Sequence, residues 1–325
     1  MRILAALLAA VLAVAIPVVA EPSEDAPWLA WRSTMNADHP LAGRIWAVRD
    51  QRFLAPAELA EAAAKADFVL IGEVHDNPDH HHLQAWIITQ VAARGRKPAI
   101  VLEMIDAGQQ AALDAHIQGV GTAQGLGAAI GWETSGWPAW AEYQPIAEAA
   151  LAARLPLKAG SPTREETRTV GKMGLSALAA ERFEGLSLSD RLSDHLQQAL
   201  IDELFVSHCE LMPENSLSPM SNVQRFRDAV MADRMLATAE AGAILIAGNG
   251  HVRADRGVPW YLARRAPDKS RLVIVLAETD TALQTPEGYA PRDPDGNPSA
   301  DYVWFTPAAE RQDPCEALRQ QFKKQ

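Results

Sequence analysis

Two short hydrophobic runs, Asp67-Phe68-Val69-Leu70-Ile71 and Ala243-Ile244-Leu245-Ile246-Ala247, each end in the same Gly-x-x-His spacing. Their near-continuous apolar character reads as strands buried on both faces and closed by a glycine turn. Gly72-Glu73-Val74-His75 and Gly248-Asn249-Gly250-His251 therefore send two histidines off the ends of two core strands. In an α/β sheet the carboxyl ends of the strands are where ligands bind, because the turns there gather polar groups without disturbing the core beneath. One site assembled from two distant segments is expected.

The segments between these runs support that frame. A short helix over 59–65 feeds the first strand. Asn77 as cap and Pro78 at the first helical position start a helix that runs to about Arg94, before Gly95. Leu83, Ile87 and Val91 form its apolar stripe. The run 98–102 is the next strand and delivers Glu103 at its end, as the first delivers Glu73. A strand, helix, strand order of this kind makes a parallel pair with a right-handed crossover. A third short strand over 155–159 brings Gly160 and Ser161 to the same edge.

Between 106 and 242 strand signals are scarce, and helices are expected near 107–118, 138–153, 164–172, 190–206 and 220–241. The fold class is thus α/β: a mainly parallel central sheet with flanking helices and a helical cap inserted between strands. A helix over 259–265, a strand over 271–277, a loop over 279–298, an edge strand at 302–305 and a short helix around 315–323 complete the chain.

At the amino end, Met1-Arg2 precedes an apolar stretch to Ile16, then Pro17-Val18-Val19-Ala20 and the acidic Glu21. One positive charge, a stretch too short to span a bilayer and a small residue at the break read as a secretory signal peptide cut near Ala20. A periplasmic or secreted protein is expected, with no cysteine near the break to carry a lipid anchor. About 305 residues then remain, enough for one large α/β domain. The net charge of −11 argues against nucleic acid as a partner. In an exported chain Cys209 and Cys315 can form a disulfide; two separate buried thiols are the alternative.

Four of the nine histidines fall in His75-Asp76-Asn77-Pro78-Asp79-His80-His81-His82, a composition found in metal sites and in solvated helix starts alike. His80 shares the stripe of Leu83 and Ile87, whereas His82 is turned roughly 200° away. The helix amino end disfavours the imidazolium at His80, and neutral imidazole is the form that binds metal. Glu73, His75, Glu103 and His251 emerge on one rim. Such a set can hold a transition metal, polarise a water or grip the iron of a haem; a buried hydrogen-bonded cluster that orders the loops is the plainer reading.

In Gln224-Arg225-Phe226-Arg227-Asp228, Arg225 or Arg227 can meet carboxylates, and Arg253 and Arg256 follow His251 closely. Trp132, Trp137, Trp140 and Tyr143 crowd the start of the cap, as core or as a flat ligand wall. Tyr143 matters further because a phenolate can ligate haem iron. No Gly-x-Ser-x-Gly elbow, phosphate loop or dinucleotide fingerprint is present.

The chain resembles the ChaN-type haem-binding uptake family, grouped with Tiki/TraB and erythromycin-esterase-like proteins. The resemblance rests on the stretch from Leu70 to His81, on Leu102-Glu103-Met104, on Trp140 through Tyr143 to Pro145, and on Gly248 through Arg253. It covers 41–277, with the cap at about 106–242 and a tail at 278–325. It implies an exported haem-binding protein of iron acquisition, often a homodimer with haem between subunits, working with haem-uptake machinery. The haem-facing candidates are then His75, His80, Tyr143, His251, Arg225 and Arg253. Related Tiki-like proteins use the paired Gly-x-x-His elements as metal sites for peptide cleavage. The alternative is therefore a metal-dependent hydrolase in which His75, Glu103 and His251 hold zinc or manganese and Glu73 handles the proton of the attacking water.

Overall fold

The structure, a computed structural model, describes residues 26–313 together with 315, 316 and 319. The segment read as a signal peptide and most of the expected 315–323 helix lie outside the described residues.

Two short strands come first, β1 (Ile45–Ala47) and β2 (Arg52–Leu54), followed by α1 (Pro56–Lys65), β3 (Phe68–Glu73), α2 (Pro78–Ala93) and β4 (Ala99–Asp106). Then come α3 (Gln110–Gln118), α4 (Ala123–Ala129), α5 (Trp140–Ala152) and β5 (Leu157–Ser161). A helical stretch follows: α6 (Arg164–Met173), α7 (Ala180–Gly185), α8 (Asp194–Ser207) and α9 (Glu214–Leu236). The chain closes with β6 (Ala243–Gly248), α10 (Val258–Arg265), β7 (Arg271–Glu278) and β8 (Tyr302–Thr306).

The strands form one sheet in the order β2-β1-β8-β7-β3-β6-β4-β5. From β8 to β5 every neighbouring pair is parallel; β1 runs antiparallel to both β8 and β2. The register matters most at the centre, where β3 lies beside β6 and Glu73 stands opposite Gly248. The two Gly-x-x-His elements are neighbours on one rim.

Alternation along β3 sends Val69 and Ile71 to one face and Phe68 and Leu70 to the other. The first face packs against the Leu83, Ile87 and Val91 stripe of α2 and against α3, α4 and α5. The second packs against α6, α8, α9 and α10, with Val170, Leu200, Phe226 and Leu262 buried. β5 divides the inserted helices, α3 to α5 flanking one face and α6 to α9 the other, and α8 and α9 meet the strand ends where His251 lies.

Three expectations are corrected. β8 is interior, because β1 and β2, three residues each and too short to show a period, add two strands beyond it. The helix expected at 220–241 runs from Glu214 to Leu236 and carries Pro219 inside it. α4 and α7, of seven and six residues, carry too few turns to register as periodic segments. At the carboxyl end Arg311 forks onto Asp76 and Glu278, and Cys315 is joined to Cys209 with Cα atoms 5.4 Å apart.

Candidate functional site

The site grows from the ends of β3, β5 and β6 and from the stretch of β4 after Leu102. At the end of β3 the Glu73 carboxylate is buried, with polar partners on both oxygens. Oε1 accepts from Tyr143 Oη at 2.6 Å and lies 2.8 Å from His75 Nδ1; Oε2 accepts from Gln84 Nε2 at 2.7 Å, with His81 Nε2 at 3.6 Å. Burial alone would raise its pKa, but the imidazoles of His81 and His75 outweigh it and hold the carboxyl well below its ordinary range. Burial lowers His75, yet its bond to Glu73 and the charge of Glu103 more than offset that and raise it. A third of the His75 side chain is exposed, and its Nε2 has no hydrogen-bond partner among the described residues; Glu103 Oε2 is 4.0 Å away.

In β4, which runs on to Asp106 rather than ending at 102, Glu103 follows the last residue paired with β6 and is the counterpart of Glu73. Oε2 accepts from Gly248 N at 2.7 Å, and Oε1 meets Arg227 Nη2 at 2.6 Å and His251 Nε2 at 3.2 Å. Ser161, ending β5, donates its hydroxyl to the Glu103 carbonyl at 2.6 Å. His251 Nδ1 lies 2.6 Å from Asp228 Oδ1. Burial disfavours the imidazolium at His251, but Glu103 and Asp228 push its pKa up to about 9. Burial raises Asp228 to about 6 against the opposing pull of His251. Glu103 is held below its ordinary range, His251 and Arg227 overcoming the effect of burial.

The glycines of the paired motifs serve this assembly. A Cβ on Gly72 would run into the Asn249 side chain and come within 2.6 Å of Val252, and one on Gly248 would fall 2.8 Å from His75 Nε2. Each motif's first glycine makes room for the other motif.

Of the residues singled out in the sequence, Glu73, His75, Glu103, His251 and Tyr143 come together; His80, Arg225 and Arg253 do not join them. His80 is fully buried, its Nδ1 accepting from Val74 N at 2.9 Å and its Nε2 lying 3.0 Å from Thr306 Oγ1. Burial drives its pKa down to about 3, so it is a neutral structural histidine with neither nitrogen open to a ligand. Arg225 is buried on the other face of α9 and donates to the Asp190 carbonyl at 2.6 Å. Arg253 is held by Asp255 and the Arg292 carbonyl.

Two members of the cluster take other roles than expected. Tyr143 is buried and bonded to Glu73, and burial, with that carboxylate, raises its pKa, so the phenol keeps its proton. His251 has both ring nitrogens occupied and acts on Glu103. Among the described residues no group of three His, Cys, Asp or Glu side chains is arranged to hold a metal ion, because Glu103 and His251 bond each other, Arg227 and Asp228. Glu73 is buried, with Tyr143 and His75 on one oxygen and Gln84 on the other.

Sequence reasoning offered Arg227 beside Arg225 as a carboxylate partner without choosing it for the site, and it missed Asp228, His81 and Gln84. Gln224, Arg227 and Asp228 stand at i, i+3 and i+4 on α9, but Arg225 is spaced in the same way from Ser221 and Asp228, so helical spacing does not choose between the two arginines. Nothing set His81 apart either, since it and His80 are both buried. The aromatic cluster splits between its two readings. Trp132, Trp140 and Tyr143 stack in the core, while Trp137 is partly exposed with its ring centroid 4.7 Å from that of His75. Beside this pair is a cavity of about 370 Å³ whose lining includes Met104, Trp137, Pro162, Arg164, Arg168 and Arg227.

Comparison with known proteins meets this geometry at the same segments. The family model described as haem-binding uptake, Tiki superfamily, ChaN matches residues 59–262. The chain belongs to this family. Among solved structures it is similar to ChaN of Campylobacter jejuni, described with cofacial haem binding, at 21% identity over 80% of this chain and 95% of that one, with a TM-score of 0.64. That likeness is one of fold. Lower likenesses are to the type III effector HopBA1, at 13% identity, 78% and 94% coverage and a TM-score of 0.44, and to the erythromycin esterase EreC in its open conformation, at 14%, 88% and 99%, with 0.40. No curated protein matches the chain.

Proposed function

We propose that this chain is an exported haem-binding protein of iron uptake, with haem as its cargo. The observation that carries the reading is the partly exposed His75 imidazole packed against Trp137, a residue that lines the 370 Å³ cavity. The donor set suits a haem. One imidazole with a nitrogen free of hydrogen bonds serves iron, and an aromatic and thioether wall serves the macrocycle. Glu73, ionised beneath the ring, fixes its tautomer and strengthens it as a donor. Membership of the haem-binding uptake family supports the same ligand. Export is supported by the apolar stretch after Met1-Arg2 and by the Cys209–Cys315 bridge, which suits an oxidising compartment.

Optical titration of the purified mature protein with haemin tests this. A saturable shift of the Soret band is expected. A spectrum that matches haemin mixed with an unrelated acidic protein would end the reading.

A further inference from the structure

Arg164 and Arg168 stand one turn apart on α6 and, together with Arg227, line the same cavity as Trp137, the ring packed against His75. We propose that this arginine pair is a carboxylate clamp that holds the haem by its two propionates; the inference rests on the haem reading above.

The pair is placed against the preferences of its own helix. Arg164 is the first residue of α6, where the helix end carries partial positive charge, and like charges at i and i+4 repel. Of the two helix acids, Glu166 closes the capping box on Thr163 and bonds Arg182 at 2.8 Å, and Glu165 forms no ion pair with either arginine among the described residues. Arg164 reaches only the Thr134 carbonyl at 3.1 Å and, more loosely, Asp106 at 3.8 Å. Arg168 is exposed and makes no hydrogen bond or ion pair among the described residues. Across the cavity Arg227 is anchored by Glu103, whose charge is already met by Arg227 and His251. An anionic ligand resolves the arrangement.

The spacing selects the kind of anion. Side chains four apart on a helix begin about 5–6 Å from one another, which suits two carboxylates carried on adjacent corners of one edge of a flat ring. Guanidinium groups bind carboxylates through paired hydrogen bonds. Met104, Trp137 and Pro162 line the same cavity and suit the apolar body of that ring. The clamp therefore gives the macrocycle an orientation, propionates toward α6.

The test compares haemin with haemin dimethyl ester, in which both carboxylates are masked, by Soret titration in one detergent-containing buffer. Wild type, Arg164→Ala/Arg168→Ala and Arg164→Lys/Arg168→Lys are compared, with far-UV circular dichroism of each. Wild type should favour haemin by about a hundred-fold, about ten-fold per arginine. The double alanine variant should lose most of that preference by weakening for haemin alone, and the lysine variant should fall between, with the spectrum of the fold unchanged. Haemin binding without preference over the ester, or a preference kept by the alanine variant, overturns the clamp and leaves the haem reading standing. Failure of wild type to bind either porphyrin overturns both.

Discussion

His75 Nδ1 lies 2.8 Å from Glu73 Oε1, and through that contact a buried carboxylate controls the one half-exposed imidazole on the rim. Glu73 can do so because Tyr143 and Gln84 hold its oxygens in place and the neighbouring imidazoles keep it ionised. A hydrogen-bonded partner behind a metal-binding histidine commonly changes affinity by about 10- to 100-fold. Glu73→Gln is expected to weaken haemin binding by that factor. Unchanged affinity in a Soret titration would mean that His75 does not bind through this dyad.

Of the two buried histidines of α2, His80 has both ring nitrogens bonded and is structural. Its Nδ1 accepts from Val74, so Nε2 carries the proton and donates to Thr306. His80→Ala removes both bonds and leaves a void, at a cost of about 2–4 kcal/mol. Denaturant unfolding should report that loss, while the folded variant binds haemin within about three-fold of wild type, a small effect on the tenfold scale. A loss of affinity as large as that of His75→Ala would return His80 to the binding site.

Stability should depend on pH through His251. A base whose pKa is higher in the folded chain than in the unfolded one stabilises the fold in full below its unfolded value and loses that contribution as pH climbs through the folded one. With 6.5 as the ordinary value and about 9 in the fold, the window is pH 6.5 to 9, and on the order of 3 kcal/mol is lost across it. His75, also raised, acts with the same sign. Glu73 and Glu103, both held low, contribute fully above pH 4.5 and lose that contribution as they protonate at lower pH. Tm measured by circular dichroism should fall from pH 6.5 to 9 in wild type and be flatter in His251→Gln; equal slopes would contradict the assignment.

The central sheet and the rim were legible because buried parallel strands write themselves as apolar runs and their ends as Gly-x-x-His. The roles of the rim residues were less so. His75 and His251 share a motif yet differ in what they can bind, since His251 meets Asp228 from α9, far off in sequence, whereas Glu73 is two residues from His75. Tyr143 looked like a ligand because nothing in its neighbours names the carboxylate that claims its hydroxyl. Arg225 and Arg227 lie two apart and so on opposed sides of one helix, and only its docking onto β4 and β6 separates them.

The Cys209–Cys315 bridge closes a separation of 106 residues and ties the tail to the turn after α8. In the chain-entropy picture a loop of this length contributes up to about 4–5 kcal/mol. Reduction, or Cys315→Ser, should lower Tm by several degrees. Equal Tm with and without reductant would mean that packing and the Arg311 contacts hold the tail unaided.

Haemin titration of wild type and His75→Ala side by side tests the central claim most directly. Wild type should give a saturable Soret shift, and His75→Ala should lose it or bind with a different Soret position, with far-UV circular dichroism unchanged. Superimposable spectra and affinities for the two proteins would contradict the account, leaving His75 without a part in holding haem.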